Sequence, residues 1–301
     1  MKKYYDKNNQ TIYNCDNLEL LKSLESNSIN LIYCDILYNT GKQFDYYNDN
    51  LGSPTESVEW YRPRIIEMKR VLKPNGSIFL HCNWRLDSYM RVLMDEIFGG
   101  DHFRNRIYRK HSNERGSYLN FDSQIDVILY YVKNKVDFIF NEEKTNDKKI
   151  YPIFENGYMK DRSDTLIFGK RKINFKKINK HYLLPKEIIY KMYDNNEIIF
   201  IDDLPYRVTC SKALGNIWVS DETLDDYSRN VKNELYDTPK PQEIVKRIIT
   251  TCSNEGDTVA DFFLGGGTTA IVAKKLKRKG IYCDINKNAC DVAIKKLEEI
   301  K

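Results

Sequence analysis

The chain has 301 residues, 41% apolar and 30% charged, with a formal net charge of +5, which suits one large domain or one domain carrying an insertion. No apolar run approaches the roughly 18 residues of a membrane span, and Met1-Lys2-Lys3-Tyr4-Tyr5-Asp6 lacks the apolar stretch of a signal peptide. Seven scattered cysteines without a Cys-x-x-Cys pair argue against a zinc site or a disulfide framework and for a reducing cytoplasm.

In chain order, Thr11 to Asn14 reads as a short strand, and Leu18 to Leu24 has helical spacing. Ile29-Asn30-Leu31-Ile32-Tyr33-Cys34 is a buried-strand run ending at Asp35. Val58 to Leu72 reads as a helix stopped by the turn signal Lys73-Pro74-Asn75-Gly76. Ser77 to His81 is the next strand, Leu86 to Phe98 a helix closed by Gly99-Gly100, and Ile125 to Val132 another strand-like run. From about 135 to 213 the pattern breaks into charges, Asn, Gly and short apolar runs such as Ile198 to Ile201, which reads as an inserted, partly β recognition region. Alternation returns with a helix over Pro241 to Cys252 and a strand over Thr258 to Ala260 that ends at Asp261. The turn Gly265-Gly266-Gly267, a helix over Ala270 to Leu276 and a strand over Gly280 to Cys283 ending at Asp284 follow. Strands alternating with helices at this spacing predict an α/β fold with a doubly wound, mostly parallel sheet. The expected parts are 1–134, 135–213 and 214–301.

A strand, a glycine turn and a helix start form the unit where an α/β sheet holds a nucleotide-like ligand. Glycine permits positive φ and close backbone approach, and the helix start offers N–H groups to an anion. Asp284 stands 23 residues after Asp261, where an acid can accept hydrogen bonds from ribose hydroxyls. A nucleoside-containing cofactor follows; NAD stays open on this pattern, although Gly-x-Gly-x-x-Gly is absent. Fewer than 40 residues follow the turn, so the sheet must draw its other strands from upstream. That order is a circular permutation with the cofactor half last.

Asp35-Ile36-Leu37-Tyr38-Asn39-Thr40-Gly41 places an acid and a tyrosine at a strand end, where ligands bind in open α/β sheets. The carboxylate can accept from an amino group and the ring can stack on a flipped base. The plainer alternative has Asp35 capping a loop and Tyr38 packing in the core. Residues 101–190 carry nineteen Lys and Arg against twelve Asp and Glu. A basic middle with interleaved aromatics suits a polyanion, and equally a solvated surface. Arg115, Lys170, Arg171 and Lys172 are the candidate contacts to such a polyanion.

In this order the pieces resemble the β-class amino-methyltransferases of DNA, the group that includes modification subunits of type III restriction systems. Asn14 to Leu21 looks like the family's opening strand and helix, Asn39-Thr40-Gly41 like the continuation of its catalytic loop, and Leu72 to His81 like the approach to its next strand. Leu214-Gly215-Asn216-Ile217-Trp218 and Thr238-Pro239-Lys240-Pro241 look like the segments leading into the cofactor half. The resemblance covers roughly residues 10–135 and 210–298. It implies a circularly permuted Rossmann-like methyltransferase fold, S-adenosylmethionine as cofactor and methylation of adenine N6 in a specific DNA sequence. Methylation of cytosine N4 is the alternative, although members that do so mostly carry serine where Asp35 stands. Asp261, Phe263, Gly265, Gly267 and Thr268 would then form the methionine side of the pocket. Asp284 would hold the ribose, Asp16 would meet the cofactor's adenine amine, and Thr238 and Lys240 would flank the carboxylate. Asp35, the Ile36 carbonyl and Tyr38 would hold the target base, without metal or covalent intermediate. Strand 280–284 is expected beside strand 11–16. Duplex DNA is the implied partner, with a second copy of the chain or a restriction subunit beyond it.

The family's catalytic motif is Asp-Pro-Pro-Tyr; here it is Asp35-Ile36-Leu37-Tyr38. Proline fixes φ and stiffens the bend, so its absence predicts lost preorganisation, and an alternative role as a weakened or inactive DNA-binding subunit follows from it. Proline restored at 36 and 37 is expected to raise the rate where preorganisation is the defect. Gly266 stands where the family has a serine, and Phe262 where many members have proline.

Overall fold

Strands that are apolar on both faces need cover on both sides. The computed structural model, which describes residues 2–41, 49–110, 124–142, 149–209, 215–219 and 241–300, shows how the chain provides it. The N-terminal elements are β1 (Tyr5–Lys7), β2 (Gln10–Asn14), α1 (Asn17–Ser23), β3 (Ile29–Asp35), α2 (Pro54–Val71), β4 (Leu72–Asn83), α3 (Asp87–Phe98), β5 (Phe103–Lys110) and β6 (Ile125–Val132). The middle holds β7 (Lys149–Pro152), β8 (Phe154–Asn156), β9 (Thr165–Phe168), β10 (Arg171–Asn174), β11 (Lys180–Tyr182), α4 (Lys186–Asp194), β12 (Ile198–Ile201) and β13 (Leu204–Thr209). The last part holds β14 (Ile217–Val219), α5 (Gln242–Cys252), β15 (Thr258–Asp261), α6 (Thr268–Lys275), β16 (Lys279–Asp284) and α7 (Lys287–Glu299). The chain divides into two compact units, residues 1–141 with 215–301, and residues 142–214.

The first unit is built on a nine-stranded sheet in the order β1-β2-β16-β15-β3-β4-β6-β5-β14. Strands β2, β16, β15, β3 and β4 run parallel to one another. Strand β6 is antiparallel to both β4 and β5, and β14 is parallel to β5. Alternation along β3 divides the core. Ile32 and Cys34 join Leu20, Ile65, Met68 and Met94 from α1, α2 and α3. Leu31 and Tyr33 join Val245, Ile249, Ala273 and Ala293 from α5, α6 and α7. The fold is thus the expected doubly wound, mostly parallel α/β sheet, and β16 pairs with β2 from Gly280↔Gln10 to Asp284↔Asn14.

Two sequence expectations are corrected. Helix α2 begins at Pro54 rather than Val58, because Ser53 and Glu56 form a capping box, with Ser53 N–H donating to Glu56 Oε2 at 2.7 Å and Glu56 N–H to Ser53 Oγ at 3.3 Å. The signal Lys73-Pro74-Asn75-Gly76 makes no reversing turn. It is a bulge in β4, whose pairing with β3 steps from Ile29↔Leu72 to Leu31↔Ser77. Gly76 is required there, since a Cβ would lie 2.8 Å from the Asn30 carbonyl oxygen. Strands β1, β5 and β14 and helix α7 have no counterpart among the sequence expectations.

The second unit has its own core of Phe154, Leu166, Phe168, Phe175, Tyr182 and Ile189, among others. Its strands form three small antiparallel groups, β10-β9, β11-β8 and β12-β13-β7.

Asn30 ties the two sequence halves of the sheet together. Its buried Oδ1 accepts from Thr258 N–H at 3.0 Å and from Lys73 Nζ at 2.9 Å. Asn30→Ala is expected to lower the unfolding free energy by about 1–3 kcal/mol, read from urea unfolding; an unchanged midpoint would contradict this role.

Candidate active site

Strand β3 leads through α2 to β4 on one side, and β15 leads through α6 to β16 on the other. Their shared boundary is where chain direction around the sheet switches, and ligands bind at the strands' carboxyl ends there. Val259↔Leu31 and Ala260↔Ile32 pair across it, so Asp261 and Asp35 end neighbouring strands. Asp284 ends the next strand beyond, β16.

Asp261 is buried, and its carboxylate accepts from Thr269 Oγ1 at 2.6 Å and Phe263 N–H at 3.0 Å. Burial, reinforced by the charges of Asp35 and Asp284, pushes its pKa up to about 7 despite those hydrogen bonds. Asp284 is raised too, chiefly by desolvation, while Asn286 N–H and Gly265 N–H, each at 2.8 Å, oppose the shift. Gly265 and Gly267 have φ of +50° and +82°, the left-handed region that favours glycine. A Cβ on Gly267 would lie 2.6 Å from Ala293 Cβ of α7. That glycine therefore answers to helix packing as well as to any ligand, a second constraint that the linear motif does not display. Thr268 opens α6, with Gly267 as its N-cap. Lys296 Nζ donates to the Gly266 carbonyl at 3.0 Å.

Asp35 is half-buried and lies opposite His81 in the β3–β4 pairing. Tyr38 Oη donates to Asp35 Oδ1 at 3.0 Å, so the tyrosine holds the acid as well as offering a ring. Burial and the Asp35 charge keep its phenol protonated, far above its ordinary range. Behind the pair lies a polar array absent from the sequence expectations. His81, fully buried, has Nδ1 at 2.9 Å from Tyr33 Oη and 3.8 Å from Asp35 Oδ1. Its Nε2 lies 3.5 Å from Asp126 Oδ2, which accepts from Arg109 Nη1 at 3.1 Å. The visible signal is weak, a histidine ending an apolar strand run.

Helix α2 braces both halves of the site. Arg64 Nη2 donates to Asp16 Oδ2 at 2.8 Å and Arg64 Nε to Asn17 Oδ1 at 2.7 Å, while its guanidinium lies 3.5 Å from the Trp60 ring centroid. Asn17 Nδ2 in turn donates to the Phe262 carbonyl at 3.0 Å. Asp16 also caps α1, accepting from Leu18 N–H at 2.8 Å. Phe263 sits 6.2 Å, centroid to centroid, from both Trp60 and Tyr61.

Asp16, Asp35, Ile36, Tyr38, Asp261, Phe263, Gly265, Gly267, Thr268 and Asp284 thus follow or end four adjacent strands of one unit. Lys170 and Arg171 lie at the turn of the β9–β10 hairpin in the other unit, with Lys172 next along β10. All three are exposed, and Arg171 is also paired with Asp203 at 2.8 Å and lies over Phe200 at 4.2 Å. Arg115, Thr238 and Lys240 lie outside the described residues.

The profile of the N6/N4 DNA methylase family matches residues 29–295. The chain belongs to that family. This methylase is 27% identical over 285 residues to the type II methyltransferase M.HpaI of Haemophilus parainfluenzae, covering 94% of this chain and 73% of that one. It is 25% identical to the DNA adenine methyltransferase YhdJ of Escherichia coli (strain K12), over 96% and 83% of the two chains. Among solved structures, the M1.HpyAVI-SAM complex superposes with a TM-score of 0.55 at 18% identity, covering 95% of this chain and 98% of that one. The expected Rossmann-like methyltransferase fold and enzyme class, a DNA methyltransferase dependent on S-adenosylmethionine, hold for this methylase. Among the described residues no helix is long and apolar enough to cross a membrane.

The raised pKa of Asp261 has a stability consequence. The folded state keeps the proton from about pH 4 to about 7, where the unfolded chain has released it. Stability from this group is therefore present at low pH and lost as pH rises through about 7. Between pH 5 and 8 the wild type should lose urea resistance relative to Asp261→Asn; parallel curves for the two proteins would refute the assignment.

Proposed function

We propose that this methylase transfers a methyl group from S-adenosylmethionine to N6 of an adenine flipped out of duplex DNA at a specific sequence. The observation that carries the target is the Asp35–Tyr38 pair. A half-buried carboxylate, held by a phenol at 3.0 Å, ends the strand beside Asp261. In the family resemblance, serine at this position goes with cytosine N4, so an acid speaks for adenine.

The residues present fit the cofactor. Asp261 is a buried acid whose charge is costly alone, and a cationic ligand would offset that cost. A carboxylate has about four acceptor positions. Gly265 and Asn286 use one on each oxygen of Asp284, which leaves acceptors for ribose hydroxyls. Asp16, similarly used by Leu18 and Arg64, keeps acceptors for an adenine amine. Phe263, Gly265, Gly267 and Thr268 would complete the methionine side, and the family resemblance alone assigns Thr238 and Lys240 to the carboxylate end. The cofactor supplies an electrophilic methyl on a sulfonium. The chain's part is positioning and electrostatics. Tyr38 stacks on the flipped base, whose extrusion costs a few kcal/mol. Asp35 and the Ile36 carbonyl accept the two N6 hydrogens, orienting the nitrogen lone pair, and Asp35 is placed to take the proton released on transfer.

The basic hairpin supports DNA contact by the second unit, through the exposed Lys170 and Lys172. The partners proposed beyond DNA, on the type III resemblance, are a second copy of the chain or a restriction subunit.

Asp35→Ala should lower methyl transfer to DNA at least about 10²-fold while leaving S-adenosylmethionine affinity within error, measured by methylated-base mass spectrometry and calorimetry. Full retained transfer would sink the proposal. Lys170→Ala and Lys172→Ala should each weaken DNA binding across unrelated sequences. Each should also make the fall of log affinity with log salt shallower by about 1, the share of a single phosphate. An unchanged slope would remove this hairpin from the interface.

A further inference from the structure

The catalytic loop lacks both prolines, yet bonds hold it at successive residues. Ile36 N–H donates to the His81 carbonyl at 3.1 Å, continuing the β3–β4 ladder one step past Asp35, and the Ile36 side chain is buried in the core. The Leu37 carbonyl accepts from Tyr61 Oη of α2 at 2.9 Å. Buried Asp49 then grips the next stretch. Its carboxylate accepts from Asn39 N–H at 3.0 Å, Thr40 N–H at 3.0 Å and Thr40 Oγ1 at 2.6 Å, and its carbonyl accepts from Gly41 N–H at 3.0 Å. Asn39 completes the brace in a left-handed conformation, φ +50°, donating to Gly52 O at 2.9 Å and accepting from Leu51 N–H at 2.7 Å.

The geometry points to a hydrogen-bonded clamp that does the work of the missing prolines, with Asp49 and Tyr61 as positioning residues for Asp35 and Tyr38. The catalytic consequence rests on the transfer reaction proposed above. Proline has no N–H to give, so at position 36 it would delete the ladder bond to His81. At 37 proline keeps the carbonyl that Tyr61 holds. The same exchange recurs at Phe262, another position where the resemblance implies proline in many members, and whose N–H donates to Cys34 Sγ at 3.4 Å. The clamp thus reverses the expectation that restored proline raises the rate.

Single-turnover methyl transfer by the full chain tests this, with Ile36→Pro, Leu37→Pro, Asp49→Asn and Tyr61→Phe beside the wild type. Asp49→Asn and Tyr61→Phe should bind S-adenosylmethionine as the wild type does and lose about 10- to 100-fold in rate, since small misplacement of a reacting group can cost about 10²-fold. Ile36→Pro should fall further than Leu37→Pro. Hydrogen exchange at the amides of Ile36, Asn39, Thr40 and Gly41 gives a readout independent of activity. These amides should be protected in the wild type, and those of 39–41 should exchange at least about tenfold faster in Asp49→Asn, as expected for a local opening. A wild type without transferase activity but with this protection pattern would refute the proposed reaction and keep the clamp. Unprotected wild-type amides, or a faster Ile36→Pro enzyme, would overturn the clamp itself.

Discussion

The pairing of β3 with β15 is the contact on which the site depends. Two strands from opposite ends of the chain lie side by side, Leu31 against Val259 and Ile32 against Ala260. Each ends in an acid at the same rim. The pairing is short, and Asn30 reinforces it by bonding Thr258 N–H on one side and Lys73 on the other. A one-residue slip would turn the side chains of a strand to the opposite face, which the two separate cores do not allow.

Bringing partly buried acids together at one rim of the sheet has an electrostatic cost, and the surroundings show how it is met. Asp261 and Asp284 receive backbone N–H donors, Asp16 receives Arg64, and Asp126 behind His81 receives Arg109. Helix α2 spans the arrangement. Tyr61 reaches the Leu37 carbonyl, Arg64 reaches Asp16 and Asn17, and Trp60 meets Phe263. A movement of this helix would therefore be felt at both the Asp35 and the Asp261 strand ends.

Much of this was legible in the sequence because it is local. Acids closing apolar runs (Asp35, Asp261, Asp284) mark strand ends, and a glycine turn before a helix marks a binding rim. What escaped depends on partners far along the chain. Phe103–Lys110 is a charged stretch, yet it is a strand because it pairs with the distant β6, where Arg106 and Arg109 are balanced by Asp87 and Asp126. Lys73-Pro74-Asn75-Gly76 has turn chemistry, but strand pairing on either side of it converts the reversal into a bulge. Tyr61 and Asp49 carry no local signature, and His81 only the weak one of a histidine ending an apolar run. Their roles follow from register, helix packing and a loop that returns on itself, none of which a linear pattern states.

The adjacency of β2 and β16 bears on how the protein is made. Asn14 leaves the ribosome before its partner Asp284, which at about 5–20 residues per second emerges roughly 14–54 s later. During that interval the N-terminal strands expose an unpaired edge beside Ile12 and Leu31, residues that end fully buried. The segment synthesised later is the one that fills the middle of the sheet. Nascent chains of this methylase therefore have a window in which a holding chaperone has a defined surface to cover, and the emergence of β15 and β16 closes it.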